Sequence, residues 1–162
     1  MSTVFFHERQ FFRQWYVWVI LIGVDLIFLW GLIQQLIIGK PFGNNPMSDL
    51  ALVFVSLFVF LLSLFMGTIH LNTEITEEEI RIIFFPISRR TILWSQVAEA
   101  NIRQYKALSE FGGWGLRFGR HGPAYNISGN IGLELVLTDG KKVLIGTQRS
   151  EELKLVLKNL GK

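Results

Sequence analysis

Two long apolar runs, Trp15–Ile38 and Leu50–Ile69, constrain this 162-residue chain more than anything else in it. A hydrocarbon layer of about 30 Å takes roughly 20 mainly apolar helical residues to cross, and both runs reach that length. Pro41, Gly43 and Pro46 in the connector forbid one continuous helix, so the two runs are expected to return on each other as a hairpin. At His70 the text changes to short alternating segments, glycine-rich turns and charges. Two parts are therefore expected. Residues 1–70 hold an N-terminal segment and two transmembrane helices, about 15–38 and 50–69, and residues 71–162 form a compact, mostly β domain.

Charge supplies the orientation. Arg9 and Arg13 precede the first run and Arg81, Arg89 and Arg90 follow the second, whereas the connector carries only Lys40. Positive-inside counting places both termini and the β domain in the cytosol of a cell with a plasma or inner membrane. The first run is too long for a signal-peptide core and no small-residue cleavage site follows it, so it reads as an anchor. Trp15, Tyr16 and Trp18 sit where amphipathic rings favour the headgroup zone. Ahead of them, Val4–Phe6 and Phe11-Phe12 flank a charged stretch, which reads as a short interfacial helix or a tail touching lipid.

Asp25 lies about 15 Å into the first run, near mid-depth. An acid there costs roughly 2.5–3.5 kcal/mol on insertion scales, so it needs a polar partner or a proton. Ser56 and Ser63 on the returning run bracket its depth. A packing hydrogen bond, within the hairpin or between protomers, competes with a functional acid. Two helices enclose no transport path, and that favours packing.

The second half reads as strands at Leu71–Glu74, Ile80–Phe85, Thr91–Trp94, Ala98–Tyr105, Gly115–Phe118, Ala124–Ile127, Leu133–Thr138 and Lys142–Ile145. Asp139-Gly140 predicts a tight type I′ turn. The chain closes with an amphipathic helix that Ser150 can cap, with Leu153, Val156, Leu157 and Leu160 as its apolar stripe and Gly161 as its stop. The expected class is α+β: a transmembrane helical hairpin, then a bent antiparallel sheet or open barrel with a C-terminal amphipathic helix.

This order resembles membrane-anchored prokaryotic proteins with a pleckstrin-homology-like (PH-like) domain. Phe111–Arg117, Ser128–Gly132 and Asp139–Gln148 resemble an uncharacterised family among them. The resemblance implies a PH-like fold for the β domain. Phosphoinositide-binding eukaryotic relatives place basic residues around the first hairpin, where this chain has Glu77, Glu78 and Glu79, and carry a tryptophan in the terminal helix that is missing here. The resemblance therefore brings no inositol-phosphate pocket with it.

Candidate binding residues come from two features. Trp114 within Gly112-Gly-Trp-Gly115 either marks a tight bend or projects as a membrane or partner anchor. Arg117, Arg120 and His121 follow it, and Arg89, Arg90, Lys141 and Lys142 lie in expected turns. Curled together, these would form a basic surface for anionic headgroups. There is no cysteine, and His7, His70 and His121 have no metal-ligand spacing. No nucleophile elbow or phosphate loop is present. No catalytic, cofactor or metal residue is assigned, and no nucleic-acid partner. The leading expectation is a non-enzymatic, membrane-anchored interaction module offering its β domain to a protein partner or to anionic lipid. The runner-up is an accessory subunit that binds another membrane protein, or its own copy, through the hairpin. A membrane enzyme comes third.

Overall fold

A computed structural model describes residues 3–119 and 122–162, an α+β chain that divides into two compact units. Arg13–Thr68 form one; the N-terminal strand and Ile69–Lys162 form the other.

The hairpin unit holds α1 (Trp15–Leu32), extended by a π turn at Ile33–Ile37, and α2 (Asp49–Thr68). Both helices are long and apolar enough to cross a membrane, and most of their large apolar side chains are exposed. The connector is tied to the π turn by glutamines. Gln34 Nε2 donates to the Pro41 carbonyl at 3.0 Å, and Gln35 Nε2 donates to Asp49 Oδ1 at 2.7 Å and to the Met47 carbonyl at 2.8 Å. Gly31 leaves room for the Phe42 ring, whose Cδ1 would lie 2.8 Å from a Cβ there.

The described residues of the β unit form nine strands in two sheets. The first has the order β1 (Val4–Phe11), β2 (His70–Thr76), β3 (Glu79–Phe85), β4 (Ser88–Leu93), all antiparallel. β1 corrects the expectation of an interfacial helix or a tail touching lipid. Its buried face is Phe6, Glu8 and Gln10, so polarity does not alternate cleanly along it and the period-two signal is masked. Phe11 pairs with His70. The chain thus leaves this sheet at Phe11 and rejoins it beside the point of departure. The whole apolar hairpin is an insertion between two paired strands, and the acidic turn at Glu77-Glu78 joins the second and third strands rather than the first pair.

The second sheet comprises β5 (Val97–Gln104), β6 (Gly115–Gly119), β7 (Gly122–Asn126), β8 (Ile131–Leu137) and β9 (Lys142–Gly146), in the order β5-β8-β9-β7-β6. Two hydrogen-bonded sheets thus stand where one bent sheet or open barrel was expected. β7 also runs parallel to β9 through Ala124–Leu144 and Tyr125–Ile145, so the unit is not wholly antiparallel. Central β9 is buried from Val143 to Gly146. At Asp139-Gly140 only Gly140 has positive φ (83°), which excludes the expected type I′ turn, since that needs two such residues.

A short helix α3 (Ala107–Phe111) ends on Gly112 at φ 72°, with the Gly113 amide donating to the Ala107 carbonyl at 2.9 Å. The closing helix α4 (Ser150–Asn159) buries Leu153 and Leu157. Arg149, not Ser150, holds its cap position, and the Arg149 amide donates to Thr147 Oγ1 at 3.0 Å. Gly161 (φ 68°) stops the helix, with the Lys162 amide reaching the Leu157 carbonyl at 2.9 Å.

Side chains of β1 fasten the first sheet to the end of β9. Glu8, 5% exposed, accepts from Thr147 Oγ1 at 2.6 Å and from the Gln148 amide at 2.8 Å. Gln10 Nε2 donates to the Gly146 carbonyl at 2.8 Å, and Arg149 Nη1 to the His7 carbonyl at 2.9 Å.

Candidate functional site

The register of the second sheet puts Asn101, Glu134, Leu144 and Ala124 in one row across β5, β8, β9 and β7. On Ala124 and Leu144 lies a small core with Tyr105 and Ala107, against which Phe111 and Trp114 pack. Beside it opens a cleft of about 430 Å³, its charged walls formed by Arg103, Glu110, Glu134 and Lys142 and its apolar floor by Phe111, Pro123 and Leu144.

The charges in this cleft are matched to each other. Arg103 bridges two acids, Nη2 to Glu110 Oε2 at 2.9 Å and Nε to Glu134 Oε2 at 2.8 Å. Lys142 Nζ takes the other Glu134 oxygen at 3.1 Å, and the Lys106 amide takes Glu110 Oε1 at 2.7 Å. The Glu110 carboxyl is held below its ordinary range by the Lys106 amide and then by Arg103. Partial burial pushes Glu134 up, but hydrogen bonds from Arg103 and Lys142 outweigh it and hold the group low. Burial likewise works against the Arg103 charge, and Glu110 and Glu134 overcome it. Both carboxylates therefore stay ionised and engaged at neutral pH, which suits orienting a polar group better than exchanging a proton. The network also pins α3 to the sheet. Of its members the sequence points to Lys142 alone, because Arg103, Glu110 and Glu134 are scattered along the chain and meet only through the β5–β8 pairing and the α3 turn.

Of the residues that were singled out, Trp114 is half-buried, with its indole N–H donating to the Gly129 carbonyl at 3.0 Å. The glycines around it do the work of a tight bend, with Gly113 and Gly115 at φ 126° and 117°. Arg117 is exposed on edge strand β6, its Nε on the Trp114 carbonyl at 3.0 Å. Arg89 and Arg90 stand in β4 rather than a turn, and strand alternation sends them to opposite faces. Lys141 is paired with Asp139 at 2.8 Å and Lys142 with Glu134. The cations thus divide between two sheets, and both lysines are engaged by acids. Arg120 and His121 lie outside the described residues. Among the described residues, no three His, Asp or Glu side chains cluster as a metal site.

In the hairpin unit, Asp25 and Ser56 line one apolar groove of about 530 Å³, together with Ile22, Leu29, Val53 and Phe60. Ser56 Oγ donates along its own helix to the Leu52 carbonyl at 2.7 Å, so its proton does not serve Asp25. Asp25 Oδ1 is buried with no hydrogen-bond partner. Ser63 does not line the groove, and its buried hydroxyl is also without a partner.

No protein-family model matches the chain, and no curated protein matches it. The functional reading therefore rests on residues and geometry.

Proposed function

We propose that this chain is a non-enzymatic, membrane-anchored interaction module: α1 and α2 cross a prokaryotic plasma or inner membrane, and a PH-like β unit is held at its cytosolic surface for a protein partner or anionic headgroups. One observation carries the reading. The apolar hairpin is inserted between β1 and β2, whose ends pair at Phe11 and His70. If the hairpin crosses a bilayer, both of its ends must lie on one side, because one sheet holds them. The excess of arginine at those ends agrees with a cytosolic side. The exposed apolar surface of both helices supports a lipid environment, since the core helix of a water-soluble domain would bury it. Two sheets closed by an amphipathic C-terminal helix support the PH-like assignment.

The absence of cysteine makes the test direct. Single cysteines at Lys40 and Asp139 are probed in intact cells with an impermeant maleimide. Labelling at 40 and protection at 139 is the expected result. The reverse pattern inverts the orientation, and labelling at both positions removes the crossing.

A second reading makes the hairpin itself the binding surface, as in an accessory subunit or a homo-oligomer. Its support is Asp25, whose buried oxygen faces an apolar groove without a donor from its own hairpin. A helix bringing a hydrogen-bond donor into that groove would satisfy it.

A further inference from the structure

The first sheet's register orders one of its faces by depth. At the end where the chain enters and leaves the hairpin, Phe11, His70 and Phe85 form a row across β1, β2 and β3. Their rings are in contact, with His70 stacked on Phe85 at 5.0 Å and tilted against Phe11 at 5.4 Å. The next row on the same face is Arg9, Asn72, Ile83 and Arg89, about 7 Å further along the strands. Arg9 lies over the Phe11 ring at 5.0 Å, with Nη2 3.1 Å from His70 Nε2. Among the described residues no carboxylate pairs with Arg9 or Arg89. In the third row the charges are cancelled, since Arg81 is bound by both Glu74 and Glu79. The β3–β4 turn extends the aromatic row with exposed Phe85, Pro86 and Ile87, the last 55% exposed.

Chain length places this end near the bilayer. At about 3.5 Å per residue, His70 lies at most about 7 Å from the end of α2, and Phe11 at most about 14 Å from the start of α1. Phe85 is two strands from Phe11, about 10 Å.

We propose that this end of the first sheet is a second membrane contact, in which Phe85 and Ile87 enter the headgroup–acyl boundary and Arg9 and Arg89 sit at the phosphate layer of anionic lipid. The ordering of apolar tip, arginines without a carboxylate partner and neutralised charges matches the ordering of an interface from hydrocarbon to water. The contact rests on the reading that the hairpin crosses the membrane. It fixes which part of the β unit meets lipid, and it leaves the charged cleft on the second sheet to other partners.

The test uses the full chain in vesicles of phosphatidylcholine with or without phosphatidylglycerol. A single cysteine at Ile87, Asp139 or Phe58 carries an environment-sensitive fluorophore, and nitroxide lipids quench it. Strong shallow-depth quenching at 87, deep quenching at 58 and none at 139 is the expected result. Quenching at 58 with none at 87 overturns this contact alone, whereas no quenching at 58 overturns the crossing itself. A second label at Phe85 guards against misfolding of one variant and must report the same depth. On anionic vesicles, Arg9→Gln and Arg89→Gln should each lower the docked-to-undocked ratio about fivefold. No change in either variant, or an equal change without anionic lipid, overturns the arginine row.

Discussion

Glu8 supplies the sharpest test of how this chain is held together. Its carboxylate sits 5% exposed on β1 and accepts from the Thr147 hydroxyl and the Gln148 amide, joining the first strand to the corner between β9 and α4. Glu8→Ala removes two charge-assisted hydrogen bonds, each contributing about 1.5–3 kcal/mol, and strands one buried donor, the Thr147 hydroxyl, and one partly buried donor, the Gln148 amide. Thr147 is 4% exposed, so water repairs little of the loss at its hydroxyl. The expected loss is about 3–5 kcal/mol, a large share of a typical domain's 5–15 kcal/mol. Glu8→Gln keeps the shape and both contacts, since its oxygen still accepts from the Gln148 amide and the Thr147 hydroxyl can turn to accept from its N–H₂; it loses the charge assistance, about 1–2 kcal/mol. Native-state hydrogen exchange on the full chain in detergent micelles reads both. The slowest amides of β8 and β9 should lose about two to three and a half decades of protection in Glu8→Ala, since about 1.4 kcal/mol is a decade. A loss below one decade would refute the claim that β1 is clamped through this carboxylate.

The insertion geometry predicts that replacing residues 13–68 by a short turn, joining Phe12 to Ile69, yields a folded domain free of detergent. Residues 69–162 alone should aggregate for want of β1, as size-exclusion chromatography would show. In the cleft, Glu110 and Glu134 have folded-state values below their ordinary 4.5, so their stabilisation is complete above that value. It is lost as pH falls from 4.5 through the lower folded values, and Arg103→Met should flatten that acid limb in thermal melts. Gly122→Ala would put a Cβ 1.9 Å from the Lys142 carbonyl at φ 136°. It should unfold the β7–β9 pairing, with a loss above about 3 kcal/mol in urea titrations. Asp25→Leu should leave insertion intact and weaken whatever assembly the hairpin makes, judged by crosslinking in membranes. Unchanged assembly would end the accessory-subunit reading.

Much of the architecture is local and so was legible in the residues. The apolar runs give helices at Trp15–Leu32 and Asp49–Thr68 because composition over 18 residues or more outweighs any single position. Eight strands and the closing helix fall close to where period-two and period-3.6 patterns put them, and Gly161 ends α4 through its own φ. The candidate site was far less legible. Trp114 was conspicuous but is held in a bend, and Lys142 was legible as a cation, while its cleft neighbours Arg103, Glu110 and Glu134 carry no local signature.

The sequence by itself determined that two helices have the length and hydropathy of membrane crossings, and that an α+β chain with short strands and a terminal amphipathic helix surrounds them. Tertiary structure alone decided that Val4–Phe11 belongs to the β unit, because a strand with Glu8 and Gln10 on its buried face has no readable period until Thr147, Gln148 and Gly146 satisfy those groups. It also decided the parallel β7–β9 pair and the partners of each cation, since pairing between distant segments depends on where the chain has been brought, not on which residues are neighbours along it.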